Sequence, residues 1–257
     1  MGKLVTKIKS SKVVNSGVIK KVKDKIYYKF INPKEEKRTD KYREEIFNKF
    51  NIIFKGSKYV LMSGALLRYH RDNTMDGQDL DFFVVRDDFN KKIKDNFIKE
   101  GFKIKQVFLD KNNGLHELRF DYKGCLVDVF LVDKDKKRYH HYFTMENKDS
   151  KDVTKKVDGN VQIISGKDII NYERDLHYMD KVKDYEYKST TFMGPVEIEN
   201  AIYDIYGKNW TFYDPTYDPR YCPENNMPVE HPNGKSLVFV KPLESFEELE
   251  KIVKELK

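Results

Sequence analysis

The sequence predicts an α+β protein built on a mixed β-sheet flanked by helices. Three observations lead there. Short apolar runs recur between turn signals over residues 40–135, and amphipathic segments of helical spacing alternate with them. A Tyr122-Lys123-Gly124 turn also joins two of the strand-like runs into a hairpin. The chain has 257 residues, 39% apolar and 14% aromatic, enough for a core that folds by itself.

The elements follow in order. Residues 1–35 read as a basic N-terminal β-hairpin or arm: eight lysines fall in the first 25 positions against one acid, Asp24, with β-prone groups at Val13-Val14, Val18-Ile19 and Ile26-Tyr27-Tyr28. Asp40 is placed to cap a helix in which Tyr42, Ile46, Phe50 and Ile53 recur at helical spacing. "KYVLM" (58–62) reads as a buried strand, "GALLRYHR" as the start of a helix and "DLDFFVV" (79–85) as the next strand; Asp87 to Glu100 is amphipathic. "FKIKQVFL", "LHELRFD" and "CLVDVFLVD" (125–133) complete a core spanning residues 36–140. Residues 141–257 are expected to be a helical and loop-rich region that completes the site. Its helices are expected at Gly166 to Asp175, at "PVEIENAIYDIYG" (195–207) with Pro195 near its start, and at Ser245 to Leu256 with Ser245 and Glu248 as a capping box. "SLVFV" is the expected strand there, and the Pro-, Asp- and Tyr-rich stretch 210–234 is long enough to be a lid or a substrate-facing loop.

Composition narrows the class of function. Lys and Arg number 49 against 42 Asp and Glu, a formal net charge of +7, which favours acidic partners such as phosphorylated compounds, nucleic acids or anionic surfaces. Two cysteines, Cys125 and Cys222, exclude a disulfide framework and a four-cysteine zinc site. No stretch approaches the roughly 20 apolar residues of a membrane span, so a cytoplasmic protein is expected.

Two carboxylates one residue apart on a core strand need a reason. Alternation puts Asp79 and Asp81 on one face of their strand, where they repel each other unless a divalent cation lies between them; oxygen ligands with substrate phosphates completing the shell suit Mg²⁺. Ser63-Gly64, between a strand and a helix, offers backbone N–H groups and a small surface to a phosphate chain. Asp128 alternates with Val127 and Val129 on a strand that can lie beside that of Asp79. Three carboxylates facing a glycine-bearing turn make a metal-assisted phosphoryl or nucleotidyl transfer site. The six histidines, His70, His116, His140, His141, His177 and His231, show no paired zinc-ligand spacing. Glu117 and Arg119 alternate on the strand before Asp128, where they face the site or enter a cross-strand ion pair, the pair being the ordinary role. The lysine-rich start lacks a stacking-aromatic motif, which argues against a nucleic-acid partner. Tyr213, Tyr217 and Tyr221 suit sugar or base stacking, or loop packing.

"SGALLRYHR", "DLDFF" 15 residues after Gly64, "VDVF" and the later "YGKNW" (206–210) together resemble the LicD family, phosphocholine transferases and their fukutin-type relatives of the nucleotidyltransferase-fold superfamily. The resemblance spans roughly residues 45–215. The family's Gly-x-Leu-Leu turn and following Arg fall on Gly64, Leu66, Leu67 and Arg71, its Asp-x-Asp on Asp79 and Asp81, and its later strand acid on Asp128. Its closing Tyr-Gly and Trp fall on Tyr206, Gly207 and Trp210. Where members carry Trp-Asp-Asp before the Asp-x-Asp, this chain has Met75-Asp76-Gly77-Gln78. The resemblance implies a nucleotidyltransferase-like core. Its activity would be transfer of a substituted phosphate, phosphocholine or a phospho-polyol, from a CDP-activated donor to a sugar hydroxyl of a glycan.

In that reading Asp79 and Asp81 hold Mg²⁺ or Mn²⁺. Asp128 is a third ligand or the base for the acceptor hydroxyl, and Arg71, with Ser63 and Gly64, binds the diphosphate. Two alternatives stand beside it. A plain nucleotidyltransferase would use the same carboxylates to move the nucleotide from an NTP, and an inactive module would only bind nucleic acid or glycan.

Overall fold

The computed structural model describes residues 32–77, 79–135, 138–146, 152–212, 217 and 229–256. It has the expected α+β character, a large mixed sheet flanked by helices. Helix α1 (Asn32–Ile53) leads to strand β1 (Val60–Met62), helix α2 (Ser63–Asp72), strand β2 (Asp79–Val85), a 3-10 turn (Arg86–Asp88) and helix α3 (Lys91–Lys99). Strands β3 (Lys103–Leu109), β4 (Leu115–Tyr122) and β5 (Cys125–Asp135) follow. After them come β6 (Arg138–Glu146), β7 (Thr154–Asp158), β8 (Val161–Ser165), β9 (Ile169–Leu176), β10 (Val182–Tyr187) and β11 (Thr190–Pro195). Helix α4 (Ile198–Tyr206), strands β12 (Val229–His231) and β13 (Lys235–Leu243) and helix α5 (Phe246–Glu255) end the described chain.

The sheet runs β12-β9-β6-β5-β4-β3-β13-β8-β7, with β2 joined to both β5 and β1. Strand β5 is its hinge. The first part of β5 lies antiparallel to β4 and parallel to β2, while its last residues pair with β6. The β4–β5 hairpin turns on Lys123 and Gly124, both at positive φ (53° and 83°), as a tight two-residue turn requires; Gly124 N–H donates to Asp121.

Alternation divides the central strands into two faces. One face carries Phe82, Phe120 and Leu118, all fully buried, under the helices, and Phe102, just before β3, joins them there. Phe50 of α1 stacks on Phe82 with ring centroids 3.8 Å apart, and Phe97 of α3 lies parallel to Phe120 at 4.6 Å. Asn90 caps α3 by accepting from Ile93 N, and Ser245 caps α5 by accepting from Glu248 N. The other face is the polar one. It carries Asp79, Asp81, Asp128, Glu117 and Arg119.

Several expectations need correction. Helix α1 begins at Asn32, so residues 32–35 belong to it and Asp40 is an interior residue ion-paired with buried Arg43 rather than a cap. The arm expected over residues 1–31 lies outside the described residues. Residues 169–176 form β9, not a helix: eight consecutive pairings with β6 override local spacing, and Arg174 lies over the Phe143 ring at 4.8 Å. The region 141–257, expected to be helical and loop-rich, holds strands β7 to β13 and only α4 and α5 among the described residues. Pro195 ends β11 opposite Val182, and α4 starts three residues later. Ser245 completes half a capping box, since its hydroxyl reaches Glu247. Of the stretch 210–234, residues 213–216 and 218–228, with Tyr213, Tyr221 and Cys222, lie outside the described residues. No helix among the described residues is long and apolar enough to cross a membrane.

Candidate active site

Strand β2 sets Asp79 and Asp81 on one face, and the parallel register places Asp81 beside Asp128 of β5. Each of the three offers a carboxylate oxygen, and those oxygens all lie within 4.8 Å of one another. No other group of three or more His, Cys, Asp or Glu side chains converges in this way among the described residues. The expected trio is therefore brought together.

The third wall is the start of α2. Strand β1 ends at Met62, opposite Asp81, so Ser63 follows directly beside that carboxylate and its hydroxyl hydrogen-bonds Asp81. Ser63 holds φ at +56°, a conformation that costs a residue with a side chain of order 1 kcal/mol or more and is kept where packing over-determines it. Gly64 follows at the open first turn of α2. Met62 supplies no side-chain cap there, and no acid occupies that turn.

Burial and mutual repulsion act together on the acids. Asp79 is held above the usual carboxylate range by burial and then by Asp128; Asp81 is pushed well above it by burial, Asp79 and Asp128. Glu117, on β4 and 4% exposed, is likewise pushed well up by burial and by Asp128. The cross-strand ion pair expected at these positions forms between Arg119 and Asp128. Arg119 lies opposite Asp128 in the β4–β5 register and grips it with two bonds of 2.7 Å, while Glu117 stands 4.0 Å off. Burial disfavours the Arg119 charge, but Asp128 more than offsets this and keeps it protonated. The polar line continues outward: Arg119 donates to Gln106 at 3.4 Å, and Gln106 to Ser236 at 2.7 Å.

A cavity of about 640 Å³ opens between α2 and the end of α4; it reaches Gly64, next to the Ser63 that bonds Asp81, while Asp79, Asp81 and Asp128 do not line it. Gly64, Arg68, Arg71 and Thr74 form one wall, and Tyr206, Trp210, Phe212 and Tyr217 the other. Tyr206 is half-buried, and both burial and the Asp81 charge raise its hydroxyl pKa. Tyr217 donates to Ile205 O at 2.8 Å and packs on Tyr206, so it braces the wall. Arg71 lines the cavity as expected, yet its guanidinium is bound by Asp72 through two 2.8 Å bonds and by Trp210 O at 3.3 Å.

Sequence reading passed over Arg68. It lies one helical turn after Gly64, a spacing that puts it on the glycine's side of α2. Its Nη2 is 3.2 Å from where a Gly64 Cβ would stand. The role of Arg119 was missed in part, because alternation placed it on the right face while the partner depended on register. The histidines are spread through other environments: His116 stacks on Tyr142, His231 pairs with Glu173, His177 with Asp204 and His70 with Glu199.

No protein-family model matches the chain, and no curated protein matches it.

Proposed function

We propose that this protein is a metal-dependent transferase that moves a substituted phosphate, of phosphocholine or phospho-polyol type, from a CDP-activated donor to a sugar hydroxyl of a glycan. One observation carries the reading: three carboxylates within 4.8 Å of one another on adjacent parallel strands, beside an uncapped Ser-Gly helix start. The donor set fits Mg²⁺ or Mn²⁺, because hard, mutually repelling oxygens gain most from a divalent cation. Asp79, Asp81 and Asp128 would hold the metal. When bound it supplies charge neutralisation at the diphosphate and the leaving nucleotide.

The chain's own residues do the rest. Arg119 fixes Asp128 in one orientation and engages both its oxygens, which favours a ligand role for Asp128 over that of a base. Ser63 orients Asp81. The acceptor oxygen forms a bond to the donor phosphorus, the bond to CMP breaks with its electron pair leaving on CMP, and the acceptor hydroxyl proton passes to a carboxylate of the cluster or to water. The aromatic wall of Tyr206 and Trp210 gives a flat apolar surface for a ring of the donor or acceptor.

Incubation with CDP-choline, CDP-glycerol, CDP-ribitol and each nucleoside triphosphate, with Mn²⁺ and a glycan acceptor, tests this. Release of CMP, reduced by roughly 10²-fold or more in Asp79→Asn and Asp81→Asn, is the expected outcome. Release of pyrophosphate from an NTP would replace the reading with nucleotidyl transfer. Absence of turnover with every donor would leave a binding module.

A further inference from the structure

We propose that Arg68, seated between Gly64 and Gly77, is the phosphate-binding side chain of this cavity and takes an oxyanion there without a divalent ion. Two absent side chains make its seat. Helical side chains lean toward the helix N-terminus, so the Arg68 guanidinium returns over Gly64, where any Cβ would already be 3.2 Å from Nη2. On the other side Gly77, at φ +155°, leaves the space that Nη2 fills; a Cβ there would collide with it.

The guanidinium so placed is under-used. Its Nε is buried without a hydrogen-bond partner, and no carboxylate of the described residues lies within ion-pair distance of Arg68; Asp79 and Asp72 act on its charge only from farther off. Arg71, three residues on, differs: Asp72 takes two of its donors and Trp210 O a third. A half-buried guanidinium with open donors, its Nε sealed from solvent, lines a cavity beside the positive end of an uncapped helix and fits an anion with several acceptor oxygens. A carboxylate would use two of its donors. A phosphate or diphosphate can also take backbone N–H groups of the first turn of α2, which makes it the better fit. The inference rests on the phosphoryl-transfer reading only for the choice of phosphate as the anion.

Calorimetric titration of the full chain with pyrophosphate in EDTA tests it. The expected result is binding that weakens about tenfold or more in Arg68→Met and less in Arg68→Lys, whose point charge lacks the fork. Arg71→Met should change it by less than about threefold, and Asp79→Asn should leave it unchanged or tighter because a nearby negative charge is removed. Should Arg68→Met fail to fold, Arg68→Lys decides, with its melting temperature as the control. Wild-type affinity in Arg68→Lys and Arg68→Met, or no pyrophosphate binding by the wild type in EDTA, overturns the proposal. Failure of every activated donor to turn over leaves this titration untouched, so the two readings fail separately.

Discussion

Replacing Asp81 with Asn should stabilise the metal-free protein and remove the stabilisation that Mn²⁺ gives the wild type. The magnitude follows from the geometry. Carboxylate oxygens within 4.8 Å of one another repel by about 3.5 kcal/mol per charged pair at an effective dielectric near 20. Asp81 faces two such neighbours, and the Arg119 guanidinium that offsets their charge is already shared with Asp128. Protonation limits the cost, which leaves roughly 2–3 kcal/mol at pH 8. The sign follows from the raised proton affinity of Asp81. Its folded pKa lies well above the ordinary 3.8, so the group's favourable contribution is complete below that value and is lost as pH rises through the folded pKa. The gain from Asn therefore grows from pH 5 to pH 8. For a chain of this length it should appear as about 5 °C or more in melting temperature. Thermal melts in EDTA and in excess Mn²⁺ measure both effects; at 100 times its dissociation constant Mn²⁺ adds about 2.7 kcal/mol to the wild type. A destabilised Asp81→Asn in EDTA, or an equal Mn²⁺ shift in variant and wild type, refutes the reasoning.

Arg119→Met should cost about 3–5 kcal/mol in urea denaturation, because Asp128 is left buried without its partner, while Arg119→Lys should recover part of it. Burial holds His116 neutral and pushes its pKa down to about 4. Its contribution to stability is therefore whole above about pH 6.5 and lost as pH falls toward 4, on the order of 3 kcal/mol in all; His116→Gln should flatten the wild-type stability profile over that window. Phe50, fully buried and stacked on Phe82, should cost about 3–5 kcal/mol as Phe50→Ala, read from the urea midpoint at constant slope.

The parts of the fold legible in the sequence are those whose signal is local. Strand β2 matches its expected bounds because "DLDFFVV" is apolar between polar turns, and the β4–β5 hairpin is written in Lys123 and Gly124. The convergence of Asp79, Asp81 and Asp128 needed only strand alternation and the adjacency of two strands, and both hold. Strand β9 was hidden for the opposite reason. "NYERD" sets three charges in a row, Glu173, Arg174 and Asp175, which breaks the apolar-polar alternation of a strand, and what makes it one is a partner about 30 residues earlier whose ring receives Arg174. The grip of Arg119 on Asp128 depends on register, and the seat of Arg68 on a glycine nine residues away in a loop. Neither kind of relation leaves a periodic trace.

The central claim is that three aspartates hold a divalent ion at a diphosphate. Crystals grown with Mn²⁺ and a cytidine diphosphate, measured for anomalous scattering at the manganese edge, test it most directly. The account predicts a peak bounded by the carboxylates of Asp79, Asp81 and Asp128, absent from Asp79→Asn/Asp81→Asn crystals. A map with no peak among these side chains, or one that persists unchanged in the double variant, contradicts it.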